Sequence, residues 1–234
     1  MLFFLRKVRK KLMKENKITS YLLYAIGEIV LVVVGILIAV RIDHWNDERK
    51  ERKKEAFLVA EIHAEMKDNL AQFNSISNSI GSVIEEGSNL VDMFPLSPEI
   101  IQTQEFGQSF IDFRQNPSFD PFLGTLKSII NSGNIDLIEN DELRKLIVSY
   151  EDVYRDYKEE ESIAWNYGYE IMDWMSDHFP NPKHVPTNWE KIDLIGLQSR
   201  IGGKKDLYEW PYSGHDGAKL KAHMEQIIKL TESK

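Results

Sequence analysis

The 234-residue sequence contains no cysteine, which excludes a disulfide framework, a thiolate metal site and a cysteine nucleophile. It contains no G-x-S-x-G, no phosphate loop and no dinucleotide fingerprint, so nucleophile and nucleotide chemistry both lack their starting residues. Gly202-Gly203-Lys204 has some of the look of a phosphate loop, but no strand is predicted before it and no Ser or Thr follows the lysine, so it reads as a turn. The histidines His44, His63, His178, His184, His215 and His223 include no H-x-x-x-H or H-E-x-x-H spacing and read as surface residues, so no metal is expected. Glu159, Glu160 and Glu161 leave no room for a glycine-containing calcium loop and read as a solvated helix face. No stretch alternates apolar and polar residues for long, which leaves strands without a signal.

Charge is scarce in one place above all. From Tyr21 to Val40 the only charged residue is Glu28, within the run YLLYAIGEIVLVVVGILIAVRI. At ~1.5 Å per helical residue, about 20 residues cross the hydrocarbon core of a bilayer, so residues 21–42 read as one transmembrane helix. Tyr21 and Tyr24 near one end and Trp45 just past the other stand where amphipathic rings favour the headgroup level. A cleaved signal peptide has a shorter apolar region and a small-residue cleavage site, and AVRIDHWND offers none.

The formal net charge of -8 is unevenly spread. Arg6, Lys7, Arg9, Lys10, Lys11, Lys14 and Lys17 stand against Glu15 alone in residues 1–20, a balance of +6, so the remainder carries -14. An acidic remainder argues against a nucleic-acid partner. Basic residues beside a span are retained on the cytoplasmic side, which places residues 1–20 inside and the bulk outside, in the periplasm of a bacterium. Leu5, Val8 and Leu12 recur at helical spacing among the basic residues. That segment either lies on anionic lipid or acts as a retention signal only.

Within the span, Glu28 is an ionisable group close to the cytoplasmic end, and Gly35 and Ala39 form a small-xxx-small pair on nearly the same face. These three residues are candidates for packing against a second copy or another membrane protein. The rival reading is a lone span with a shallow Glu28. Residues 43–60, dense in both charge signs, read as a solvated helical stalk with i,i+4 pairs.

Beyond the stalk, Ile62, Met66, Leu70, Phe73, Ile76, Ile80 and Val83 recur at steps of three and four, a helix that Pro95 ends. Ser97-Pro98 opens a second helix, predicted to reach Arg114. Asp120-Pro121 opens a third, closing at Gly133. Asn140 caps a long fourth with Leu143, Ile147, Tyr150, Tyr154 and Tyr157 on one face, predicted to be broken or bent near Glu160 and to stop by Pro180. Residues 180–217 read as irregular, with a short helix at 189–200. A closing helix carries Leu220, Met224, Ile227 and Leu230. Trp165, Trp174, Trp189 and Trp210 read as core residues, with an interface role as the alternative.

FFLRKVRKKLMKENKITSYLLYAIGEIVLVVVGILIAVRIDHWNDERK resembles the N-terminal signature of domain of unknown function family 6090, and LKSIINSGNIDLIENDELRKLIVSYEDVY is similar to its second recurring block. The resemblance implies a membrane-anchored bacterial inner-membrane protein with a helical periplasmic part and transfers no catalytic residue. The chain is therefore expected to be all-α. Its expected parts are a cytoplasmic segment (1–20), a transmembrane helix (21–42), a charged stalk (43–60) and a periplasmic helical bundle (61–234). The expected role is that of a non-enzymatic scaffold or interaction protein without cofactor, whose partners are the bilayer and a second copy or another membrane protein. The alternative is a subunit of an ion-coupled membrane machine with Glu28 as its intramembrane carboxylate.

Overall fold

The structure, a computed structural model, describes residues 6, 10, 18–178, 193–213 and 215–232. Every regular element among the described residues is helical, and none is a strand. In chain order they are α1 (Ile18–Asp92), α2 (Pro98–Ile101), α3 (Gln104–Phe113), α4 (Gly124–Asn131), a 3-10 turn (Asn134–Leu137), α5 (Asp141–His178), α6 (Leu194–Ser213) and α7 (His215–Thr231). The chain divides into two compact units, Met1–Ala56 and Phe57–Lys234.

In the first unit α1 carries the apolar run and then the mixed-charge stretch. Its ion pairs, Asp47 with Lys50 and Arg52 with Glu55, join residues three apart on the helix surface. Such pairs on an exposed helix surface are screened by water and add little to stability.

In the second unit α1 continues through a serine-rich stretch. The hydroxyls of Ser77, Ser82 and Ser88 bond to the carbonyls of Phe73, Asn78 and Ile84 one turn back, so they do not compete with the helix. Gly87 sits where α1 meets Phe113: a Cβ there would stand 2.8 Å from that ring.

Two apolar clusters form the core of this unit. One gathers Ile62, Met66 and Phe73 of α1, Leu126 and Ile129 of α4, Leu143, Ile147, Tyr150 and Tyr157 of α5, and Leu220, Met224 and Ile227 of α7. The other gathers Val83 and Leu90 of α1, Phe106, Phe110 and Phe113 of α3, Ile171 and Trp174 of α5, and Leu197 and Ile201 of α6. Each fully buried Leu, Ile or Phe contributes about 1.5–3 kcal/mol, so the long helices α1 and α5 are held at two places along their length. α5 packs on both α6 and α7, and α6 packs on α7.

Four expectations are corrected. The helix predicted from Pro98 to Arg114 is two helices, because Thr103 accepts the N–H of Phe106 and starts α3 anew. The helix predicted from Asp120 begins at Gly124. α5 runs unbroken past Glu160 to His178. The Gly202-Gly203-Lys204 turn is the middle of α6, where Gly203 leaves room for the Tyr167 hydroxyl against the helix. The predicted short helix at 189–200 lies partly outside the described residues. Asn140 does cap α5, accepting the N–H groups of Glu142 and Leu143 at 3.0 Å each.

Candidate functional site

The residues singled out in the span lie on α1 within the first unit. Glu28 and Ala39 are exposed, and no atom comes within 4 Å of a Cβ placed at Gly35. Helical spacing puts the three near one face, since seven and eleven residues are close to whole numbers of turns. Of the basic cluster, Arg6 and Lys10 are helical and exposed. Lys7, Arg9, Lys11, Lys14 and Lys17 lie outside the described residues.

The bundle holds a polar constellation that sequence reasoning missed. Residues 114–123 are non-helical and link the two apolar clusters, with Phe113 fully buried in one and Phe119 fully buried in the other. A partly buried stretch outside helix or sheet, anchored in the core at Phe119, must find partners elsewhere for those N–H and C=O groups that water does not reach. Side chains from three helices supply them.

Lys204 of α6, 1% exposed, donates to the carbonyls of Phe113 at 2.7 Å and Gln115 at 2.9 Å. Its ammonium also lies 4.9 Å from the Phe113 ring centre and 5.2 Å from that of Tyr208. Burial pushes this amine down to about 7. Trp165 Nε1 donates to the carbonyl of Asn116 at 3.3 Å, and the Tyr208 hydroxyl donates to its Oδ1 at 3.0 Å.

Further along the strap, Glu161 of α5, 2% exposed, accepts the N–H of Phe119 at 2.8 Å, the Ser118 hydroxyl at 2.9 Å and the Tyr157 hydroxyl at 2.9 Å. Lys158 binds the same carboxylate at 2.6 Å and reaches the carbonyl of Phe119 at 3.2 Å. Glu161 is therefore an internal strut, and the solvated-face reading of residues 159–161 is corrected at this position.

From α1, Asn69 exchanges two bonds with the backbone of Phe122, at 2.7 and 2.8 Å. Glu65 accepts the N–H groups of Thr125 and Leu126 at 2.7 and 3.2 Å. Leu123 precedes α4 without a side-chain cap, so the carboxylate on α1 takes over that task and meets the positive end of the helix dipole.

Ser118 and Lys158, 2.8 Å apart, form the kind of pair by which some hydrolases activate a serine. That chemistry needs a neutral amine. Burial lowers the Lys158 amine, but the Glu161 hydrogen bond and charge more than offset it and hold the amine above its usual range. The lysine stays an ammonium and a donor, so the pair clamps the strap.

Two of the described histidines are half-buried and meet partners distant in sequence, and His184 lies outside the described residues. His63 faces the Thr231 hydroxyl at 3.0 Å, His223 faces the carbonyl of Leu146 at 2.8 Å, and His44 and His215 are exposed. Among the described residues no His, Asp or Glu group is arranged to hold a metal. Trp174 is buried in the second cluster, as predicted, with Arg200 5.2 Å over its ring. Trp165 is half-buried. Trp189 lies outside the described residues.

The class is thus an all-α protein with a strapped helical bundle and, among the described residues, one helix long and apolar enough to cross a membrane, its most apolar window wholly exposed. A family model described as "Family of unknown function (DUF6090)" matches residues 28–163, more than half of the chain. The chain belongs to that family. The match takes in Glu28, Gly35, Ala39, the strap and Glu161, and ends before Lys204. No curated protein and no solved structure matches.

Proposed function

We propose that this chain is a non-enzymatic scaffold or interaction protein anchored in the bacterial inner membrane, with residues 1–20 cytoplasmic and the helical bundle periplasmic. The exposure of the apolar window of α1 carries the reading. Leu22, Ile29, Leu31 and Leu37 are each 59–63% exposed, and each would gain about 1.5–3 kcal/mol on leaving water. A bilayer, or a bilayer and a second span, is the cover that fits a run of this length. The +6 balance of residues 1–20 supports the orientation. The scaffold role draws support from the bundle, where the buried polar side chains of Asn69, Glu161 and Lys204 are engaged with the strap backbone.

Gly35 and Ala39 offer the close approach for a homo-oligomer or for the span of another membrane protein. A reporter active only in the periplasm should work when fused after Lys234 and fail when fused at Met1, and the reverse pattern overturns the compartment. The role itself is tested by purification in mild detergent. A second copy or another membrane protein should be retained in stoichiometric amount and lost on Gly35→Leu.

A second reading, a subunit of an ion-coupled membrane machine, draws on Glu28, an ionisable group within the apolar run. The two readings part on whether that carboxylate must change its charge.

A further inference from the structure

Where the apolar run of α1 ends, Arg41, Trp45 and Arg49 follow one another at intervals of four and so share one stripe of the helix. Trp45 is 62% exposed, and the Arg49 guanidinium lies 6.0 Å from the centre of its ring, at cation–π distance. On the side of the span, a shallow groove of about 330 Å³ is lined by Val34, Leu37, Ile38, Arg41, Ile42 and Trp45. Arg41 is the one charge in that lining.

Two of the acids nearby are turned aside. Asp43 and Asp47 fall on the far flank by helical spacing, and Asp47 holds Lys50 at 2.8 Å. Glu48 is on the near side, next to Arg49 in sequence, about 10 Å beyond Arg41 along the axis and one turn from Arg52.

We propose that this stripe binds an anionic phospholipid in the leaflet opposite the basic segment, with its phosphate between Arg41 and Arg49 and an acyl chain in the groove. The groove accepts hydrocarbon, and the guanidinium at its mouth presents a fork that matches phosphate oxygens. A groove without the charge takes any lipid, and a guanidinium without the groove takes any anion. Together they select a phosphate that carries a chain. Trp45 sets the depth, because an indole favours the headgroup level. Retention of basic residues on the cytoplasmic side does not account for Arg41 and Arg49, which stand at the other end of the span. The inference rests on the proposed span.

The test uses the full-length chain in phosphatidylcholine nanodiscs that contain a small share of brominated phosphatidylglycerol or, separately, of brominated phosphatidylcholine. Quenching of Trp45 is taken as the difference between the wild type and Trp45→Phe. An arginine beside an anionic headgroup enriches it about fivefold, so brominated phosphatidylglycerol should quench several-fold more strongly than its zwitterionic counterpart. Arg41→Gln with Arg49→Gln should bring the two to equality, while Arg41→Lys should keep part of the preference. Equal quenching in the wild type overturns the site and leaves the span standing. No quenching by either lipid overturns the span, and the site with it. If inorganic phosphate erases the preference, the arginines hold a free anion and the lipid assignment fails.

Discussion

The carboxylate of Glu161 accepts the backbone N–H of Phe119, 42 positions earlier in the chain, at 2.8 Å. One buried acid on a long helix thereby fixes the course of a strap that joins two apolar cores. Lys204, Asn69 and Glu65 do the same at other points along it. The strap is thus secured from α1, α5 and α6 together.

The bundle has its own core and should fold without the apolar run. A fragment beginning at Lys54 is expected to be soluble, strongly helical by circular dichroism and cooperative in thermal unfolding. Helicity without a cooperative transition would mean that the core needs the membrane segment or a partner.

In that fragment Glu161→Ala takes away the acceptor of Phe119 N–H, of the Ser118 and Tyr157 hydroxyls and of the Lys158 ammonium. Leaving a buried donor unsatisfied costs about 1–3 kcal/mol, and the Phe119 N–H and Tyr157 hydroxyl both lose their acceptor, so a loss of about 2–4 kcal/mol is expected in urea denaturation. Glu161→Gln keeps one acceptor and should lose about 1–2 kcal/mol. A loss under 1 kcal/mol for the alanine variant would remove Glu161 from the strut role.

Lys204 makes stability depend on pH in a predictable direction. Burial lowers its amine from 10.5 to about 7, so between those values the unfolded chain binds the proton and the folded chain does not. Stability therefore rises with pH from about 7 to 10, by up to a few kcal/mol. Above 10 the rise should stop, since burial holds the Tyr150 and Tyr208 phenols above their usual range and favours their protonated, folded form. Lys204→Met should flatten the rise and fall below the wild type most clearly at its high-pH end, where the wild type no longer buries a charge and the variant leaves the carbonyls of Phe113 and Gln115 without their donor. Stability that falls between pH 7 and 9 in the wild type contradicts this account.

Two glycines of α1 should respond oppositely to alanine. Gly81 has open space around the new Cβ, so Gly81→Ala should stabilise by about 0.5–1 kcal/mol through helix propensity. At Gly87 the Cβ would stand 2.8 Å from Phe113 and 3.2 Å from Cβ of Lys205. Overpacking costs about 1–3 kcal/mol, which outweighs the propensity gain. Thermal melts of the two variants should move in opposite directions.

In the span, Glu28→Gln separates the two readings of function. A packing role tolerates Gln, which keeps shape and hydrogen-bonding capacity, and Gly35→Leu then does the damage by holding helices apart. Interhelical polar contacts contribute about 0.6–2 kcal/mol and Gln can still make one, so detergent-resistant assembly should survive Glu28→Gln and fail with Gly35→Leu. A Glu28→Gln protein that assembles normally and is inactive in cells would falsify the scaffold reading.

The sequence by itself determined the all-α class, the length and place of the apolar run, and most of the buried faces. Ile62, Met66 and Phe73 in α1, and Leu220, Met224 and Ile227 in α7, are buried as their spacing requires, because helical periodicity is a local property. It did not determine what polar residues inside those stripes would do. Asn69 sits between Met66 and Phe73, Glu161 between Tyr157 and Ala164, and Lys204 between Ile201 and Tyr208, all at core spacing. That placement was a legible signal of burial, and their charge or polarity argued the other way. Only the tertiary structure decided it, since a buried polar group is tolerated when a partner distant in sequence meets it. Those partners are the backbone groups of residues 113–126. The same contacts are made by an α5 that runs unbroken past Glu160 and by an α6 that passes through two glycines, from which they reach a segment that no local pattern could place.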